Sequence, residues 1–144
     1  LTCAYYLTNL GYHVIVLEKD NIGEKTTGHT TGKITSQHSL FYDYLIQSYG
    51  KKFAKDYLMA NEQAIKNVQN IVQKENIKCD FTTQNSYVYT TKKSELRSIK
   101  KEIAAVESLD FNCEFVTKTG LPFEIEGAIC FKEQAQFHPL KYLY

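Results

Sequence analysis

Residues that break or stiffen a backbone are scarce in this 144-residue chain, which has seven glycines and two prolines. That scarcity excludes collagen-like and low-complexity disordered chains. Neither sign of charge is in excess: 17 basic against 16 acidic side chains give a net charge of +1. Charge alone therefore draws neither nucleic acid nor an acidic membrane. No apolar run approaches the roughly 18 residues that a bilayer span requires, and no stretch has the basic-then-apolar form of a secretory leader. The four cysteines, at 3, 79, 113 and 130, include no C-x-x-C pair, which argues against zinc and thioredoxin-like chemistry. Disulfide frameworks belong to smaller, cysteine-denser secreted chains. The expectation is four reduced thiols in or near a core, Cys3 among the buried ones, in a cytoplasmic setting. The four histidines share no ligand spacing, so no metal site is expected. What is present, 43% hydrophobic and 23% charged residues, suits a globular chain with a real core.

Along the chain, apolar residues at 1, 4, 7 and 10 have helical spacing, and Gly11 supplies a stop. Val14 to Leu17 is a short continuous apolar run, which reads as a strand buried on both faces. Residues 18–38 are polar, rich in Thr and Gly, and form a long loop. A short helix over 39–49 ends at Gly50. Phe53, Tyr57, Ala60, Ala64, Val68, Ile71 and Val72 then trace the inward stripe of a long helix. Strands are expected at 79–81 and 86–91, joined by a turn at Gln84-Asn85, and again at 112–117 and 128–132. Between these pairs, Ser94 is placed as the N-cap of a helix carrying Leu96, Ile99, Ile103 and Val106. Pro139, after His138, opens a final helix.

The spacing from Leu1 to Glu18 reads L-x-x-A-x-x-L-x-x-x-G-x-x-V-x-V-x-E. This is the pattern that follows the glycine turn of a dinucleotide-binding βαβ unit. A small Ala4 allows close helix–sheet packing, Gly11 ends the helix, Val14 and Val16 fill the second strand, and a terminal carboxylate accepts from ribose hydroxyls. Spacing alone also suits α/β folds that bind no nucleotide, in which Glu18 is a solvated charge closing a strand. The run Thr26-Thr-Gly-His-Thr-Thr-Gly-Lys-Ile-Thr-Ser-Gln-His38 supplies hydroxyls and closely approaching backbone N–H groups, as a pyrophosphate or a flavin edge needs. A Thr-rich surface loop has the same composition.

These segments, together with Ile22-Gly23 and the late Phe137-His-Pro-Leu-Lys-Tyr, resemble the FAD-dependent D-amino-acid oxidase / glycine oxidase (DAO) superfamily. The likeness is strongest to bacterial members fused to a Rieske iron–sulfur domain, and it runs along essentially the whole chain. It implies a mixed α/β fold: a partial Rossmann-like FAD-binding unit at 1–38, a helical segment at 39–76 and part of a mixed-sheet substrate domain at 77–144. It also implies FAD as cofactor and a small amine or amino acid as substrate, oxidised by hydride transfer to the flavin. Carried over by position, Glu18 would bind the adenosine ribose, with Lys19 flanking it. Thr26 and Thr27 would meet the pyrophosphate, and Thr31, Gly32 and Lys33 the ribityl chain or flavin ring. Gln37 and His38 would lie toward the substrate. No residue is singled out as catalytic. The family's glycine turn would stand before Leu1, so the chain reads as an internal fragment that binds FAD weakly or not at all and tends to self-associate. Two other readings stay open: an NAD-dependent Rossmann dehydrogenase, and a non-enzymatic helical interaction module.

Overall fold

The computed structural model describes residues 1–144, a mixed α/β arrangement of four helices and one four-stranded antiparallel sheet. Helix α1 spans Thr2–Asn9 and is followed by Gly11 in the left-handed region. Strand β1 is short, Lys33–Ile34. Helix α2, Tyr42–Lys74, is two helices across a kink, because Gly50 sits at φ 85°, ψ 161°. That backbone conformation is open to glycine and costly for other residues, so the expected break at residue 50 is present. Strand β2 is Thr82–Thr90, helix α3 Leu96–Ser108, strand β3 Glu114–Val116, strand β4 Gly127–Gln136 and helix α4 Pro139–Leu143.

β4 organises the sheet. β2 runs antiparallel along its whole length, while β3 pairs with its start and β1 with its end. β4 is buried at Gly127–Phe131 and again at Gln134–Ala135. α2 and α3 pack together, and α3 lies against β4. Tyr42, Leu58, Ile99, Val106, Leu109, Ile129 and Phe131 form the shared core, each at most 2% exposed. Phe131 is its centre: Tyr42 stacks on it at 6.1 Å between ring centroids and Phe111 approaches at 5.0 Å. Offset aromatic contacts at such distances add to what burial alone supplies.

Several expectations are corrected. Residues 14–17 form no strand, because no other strand of the chain runs beside them to complete a ladder; Ile15, Val16 and Leu17 are exposed. The inward stripe of α2 is Ala54, Leu58, Ile65 and Ile71, while Phe53, Ala60 and Ala64 face outward. The apolar positions admitted both stripes, and α3 and the sheet select the one that meets them. The two strands expected at 79–81 and 86–91 are a single β2, and Gln84-Asn85 is no turn. The register passes from Gln84↔Gln134 to Ser86↔Phe131, so Lys132 and Glu133 together oppose Asn85. This is a β-bulge on β4, with Glu133 at φ 55°. Ser94 does not cap α3. It lies within a 3-10 turn, and the N-cap position belongs to Glu95, which makes no side-chain cap bond. The Glu95 carboxylate instead accepts from Thr90 Oγ1 at 2.6 Å. Cys79 and Cys130 are buried and Cys113 half-buried, but Cys3 is exposed on α1, a helix without a single buried residue. No helix is long and apolar enough to cross a membrane.

Candidate cofactor site

The Thr/Gly segment forms one wall of a polar crevice of about 420 Å³. Thr27, Gly28, Thr30 and Thr31 line it on one side, Gln136 to Leu140 on the other, and Asp80 completes the rim. Backbone pairing brings the two sides together. Lys33 pairs with Gln136 in the sheet, and the Phe137 N–H donates to the Gly32 carbonyl at 3.0 Å. Gly32 has φ 71°, and a Cβ there would run into the Phe137 carbonyl oxygen. Gly28 is held by a different constraint, since a Cβ on it would collide with the Gly23 carbonyl oxygen. The chain thus turns tightly at 23–32 only because two positions carry no side chain. Leu140 of α4 packs beside Gly23, which fixes that turn against the last helix.

α4 begins as the sequence suggested, with Pro139 at its first position and the His138 side chain accepting from the Lys141 N–H. The His138 N–H donates to the Cys79 carbonyl at 2.7 Å, tying the start of α4 to the approach to β2. Lys141 Nζ reaches Asp80 Oδ2 at 2.7 Å. That hydrogen bond and the lysine's charge hold the Asp80 carboxyl below the usual carboxylate range.

Of the residues expected at the site, Thr27 and Thr31 line the crevice, and Gly32 adjoins it as the buried residue behind Thr31. Thr26 is in the same 3-10 turn, 26–29. Lys33 is exposed on β1. Glu18 and Lys19 are not among the lining residues. Glu18 is exposed, and its Oε1 accepts from the Asp20 N–H at 3.1 Å, a contact within its own loop.

Gln37 and His38 part company. Gln37 is 2% exposed: its Nε2 donates to the Ile129 carbonyl at 3.2 Å and its Oε1 has no partner. His38 is exposed, with Nδ1 2.9 Å from the Tyr57 hydroxyl. Between the crevice and these residues, Gln134 binds the segment from the sheet. Its Oε1 accepts from the Ser36 N–H at 2.7 Å and from Thr35 Oγ1 at 3.0 Å, while its Nε2 donates to Glu62 at 2.9 Å.

Sequence reasoning missed Asp80 and Gln136 and read Phe137-His138-Pro139 chiefly as a helix start. No local signal marks Asp80; its position depends on the long-range pairing of β2 with β4. The Phe-His-Pro run carried the available signal, since a motif shared with a family is more than a proline at a first turn.

The donor set suits a polyol–phosphate segment of FAD: hydroxyls, close backbone and one carboxylate, in a volume toward the lower end of the about 300–1,000 Å³ typical of ligand pockets. Thr27, Thr31 and the backbone about Gly28 and Gly32 are the residues that would hold it. Among known proteins, the chain is 36% identical over 143 residues to YhfW of Bacillus subtilis (strain 168), which bears the name of a Rieske 2Fe-2S iron–sulfur protein. The match takes in 99% of this chain and 28% of that relative's length. No solved structure gives a significant match. The family model described as FAD dependent oxidoreductase (DAO) matches residues 1–144. With that match spanning the whole chain, over the segments that build the crevice, the chain belongs to the DAO family of FAD-dependent oxidoreductases.

Proposed function

We propose that this chain helps bind FAD in an enzyme that oxidises a small amine or amino acid. The observation that carries the reading is the crevice in which a Thr/Gly wall at 27–32 faces the 136–140 segment. When bound, FAD would supply a hydride acceptor for the carbon that bears the amine, and water would release the resulting imine as a carbonyl compound and an amine or ammonia.

The chain's own residues bind and orient. Thr26 and Thr27 serve the pyrophosphate and Thr31 the ribityl end, while Gly28 and Gly32 let the backbone approach. Lys33, one residue beyond the crevice, brings a cation toward the ring end, where negative charge develops on reduction. Glu18 and Lys19 serve the adenosine ribose once the exposed 12–19 segment is seated on the ligand. Gln37 and His38 lead toward the substrate. In this reading residues 1–38 belong to the FAD-binding part, 39–76 to a helical segment and 77–144 to the substrate part. The protein works in a reducing cytoplasm, in keeping with its unpaired cysteines. The likeness to a protein with a Rieske name supports an iron–sulfur group as the next electron carrier.

The test is purification of the full-length gene product. It should be yellow, or become so with added FAD, and its flavin bands should bleach anaerobically with at least one member of an amine and amino-acid panel. Failure to bind FAD under any loading condition sinks the reading. Binding of a nicotinamide dinucleotide in its place would favour the dehydrogenase alternative.

A further inference from the structure

The crevice contains a carboxylate to which the flavin reading gives no specific contact. Asp80 is the only carboxylate among the lining residues, and none of them is a lysine or arginine. A bare carboxylate in a phosphate site would repel its ligand. Here Lys141 neutralises it through one oxygen, Oδ2, at 2.7 Å. The second oxygen, Oδ1, remains as an acceptor, since an ionised carboxylate offers about four lone-pair directions over two oxygens.

The backbone keeps the group in place. Asp80 lies in the left-handed region at φ 55°, and the adjacent Cys79 carbonyl is bonded to the His138 N–H at the opposite wall. Threonine hydroxyls, at Thr27, Thr30 and Thr31, both donate and accept. A screened carboxylate beside such hydroxyls matches a chain of neighbouring alcohols better than it matches a phosphate, because alcohols donate and phosphate oxygens do not. The Asp80–Lys141 pair is exposed, so pairing alone contributes little to stability and leaves the carboxylate open to the crevice.

We infer that Asp80, screened by Lys141, is a ligand-binding residue that accepts hydrogen bonds from the ribityl hydroxyls of the flavin cofactor. This rests on the FAD reading proposed above and adds a specific contact to it.

The experiment uses the full-length gene product, freed of flavin, and its Asp80→Asn variant. Asparagine tolerates the same left-handed backbone, so the turn is retained. Asparagine keeps one acceptor oxygen but loses the charge, so the hydrogen bond falls from the charged to the neutral range and FAD binding should weaken roughly five- to tenfold, measured by flavin fluorescence quenching. Binding of lumiflavin, which has the ring but no ribityl chain, should not change between the two proteins. The melting temperature of the flavin-free variant should match that of the parent. The inference is overturned if D80N binds FAD as tightly as the parent, or if lumiflavin binding falls in step with FAD. If the parent itself binds no FAD, the functional reading fails and this inference with it, an outcome distinct from a parent that binds and a variant that binds equally.

Discussion

Glu102 caps a helix that is not its own: from the middle of α3, its Oε1 lies 2.7 Å from the backbone nitrogen of Tyr42, at the start of α2. The same oxygen accepts from the Phe41 N–H at 2.7 Å, and Oε2 accepts from the Asp43 N–H at 3.0 Å. The first turn of α2 has no side-chain cap from its own flank, so one buried carboxylate answers three donors that the helix leaves unpaired. Its negative charge also meets the positive end of the helix dipole. Tyr42 in turn donates through its hydroxyl to the Ser36 carbonyl. The α2–α3 contact is thereby linked to the segment that leads away from the crevice.

Replacing Glu102 should therefore be costly. Glu102→Ala strands those backbone donors in a site that is 2% exposed. The loss of cap and hydrogen bonds should cost about 2–4 kcal/mol. Glu102→Gln keeps one acceptor oxygen and should lie between the alanine variant and the parent. Urea unfolding followed by circular dichroism measures both. A Glu102→Ala protein as stable as its parent would show that water replaces the carboxylate at no cost.

Little of this capping could be read from the sequence. Local spacing and stops such as Gly11 and Gly50 placed α1, the two halves of α2 and α3, and Pro139 placed the start of α4. The crevice wall at 26–32 was legible for the same reason: its hydroxyls and glycines are adjacent in the chain. The β4 bulge at Lys132–Glu133 was not, because it exists only as a mismatch against Asn85. The inward stripe of α2 was right at Ile71 but elsewhere displaced by one position, to Ala54, Leu58 and Ile65, since the neighbouring positions are also apolar and only the packed partners distinguish them. The 14–17 run was misread as a strand because an apolar β-branched stretch specifies extension but cannot supply its own neighbour. Asp80 escaped notice because nothing in its flanks anticipates the turn that brings it to His138.

Gly32→Ala tests the crevice wall directly. The new methyl meets the Phe137 carbonyl at a residue held at φ 71°, and a non-glycine residue there carries strain of about 1–3 kcal/mol. The Phe137-to-Gly32 hydrogen bond should lengthen or break. We expect a lower melting temperature and faster amide exchange at Phe137 and His138, with the α2–α3 core unchanged. Unaltered exchange at those two amides would mean that the β1–β4 junction does not depend on glycine.

The thiols give a prediction with a definite pH sign. Burial pushes the Cys113 thiol up to about 12, and burial raises Cys130 as well. Cys3 is exposed. At pH 8 a thiol titrating near 12 is ionised at about one part in ten thousand, against roughly a quarter for an ordinary cysteine. A disulfide reagent such as DTNB should therefore count one fast thiol in the native chain and four after unfolding. The same shift ties stability to alkaline pH. The unfolded chain ionises Cys113 near the ordinary thiol pKa and the folded chain only near 12, and Cys130 is shifted in the same direction. Stability from this source is complete below about pH 8.5 and declines as pH rises toward the folded value. More than one fast native thiol would contradict the packing around Cys79, Cys113 or Cys130.

The last prediction concerns the apolar surface that residues 10–17 present. Leu10, Tyr12, Ile15, Val16 and Leu17 are between 55% and 90% exposed, and they adjoin Leu7 of α1, itself 41% exposed. Apolar side chains left this exposed favour association, because burying them against a second copy removes apolar area from water. The 14–17 backbone, unpaired within the chain, can also accept a partner strand. The 144-residue chain should therefore sediment as a mixture of monomer and larger species whose proportions shift with concentration. Ile15→Lys with Leu17→Lys interrupts both the apolar surface and strand pairing while touching none of the core residues around Phe131. Sedimentation velocity on the double variant should show a single monomeric boundary with an unchanged melting temperature. If the larger species persist, the contact lies elsewhere, and the exposed face of α1 becomes the next surface to mutate.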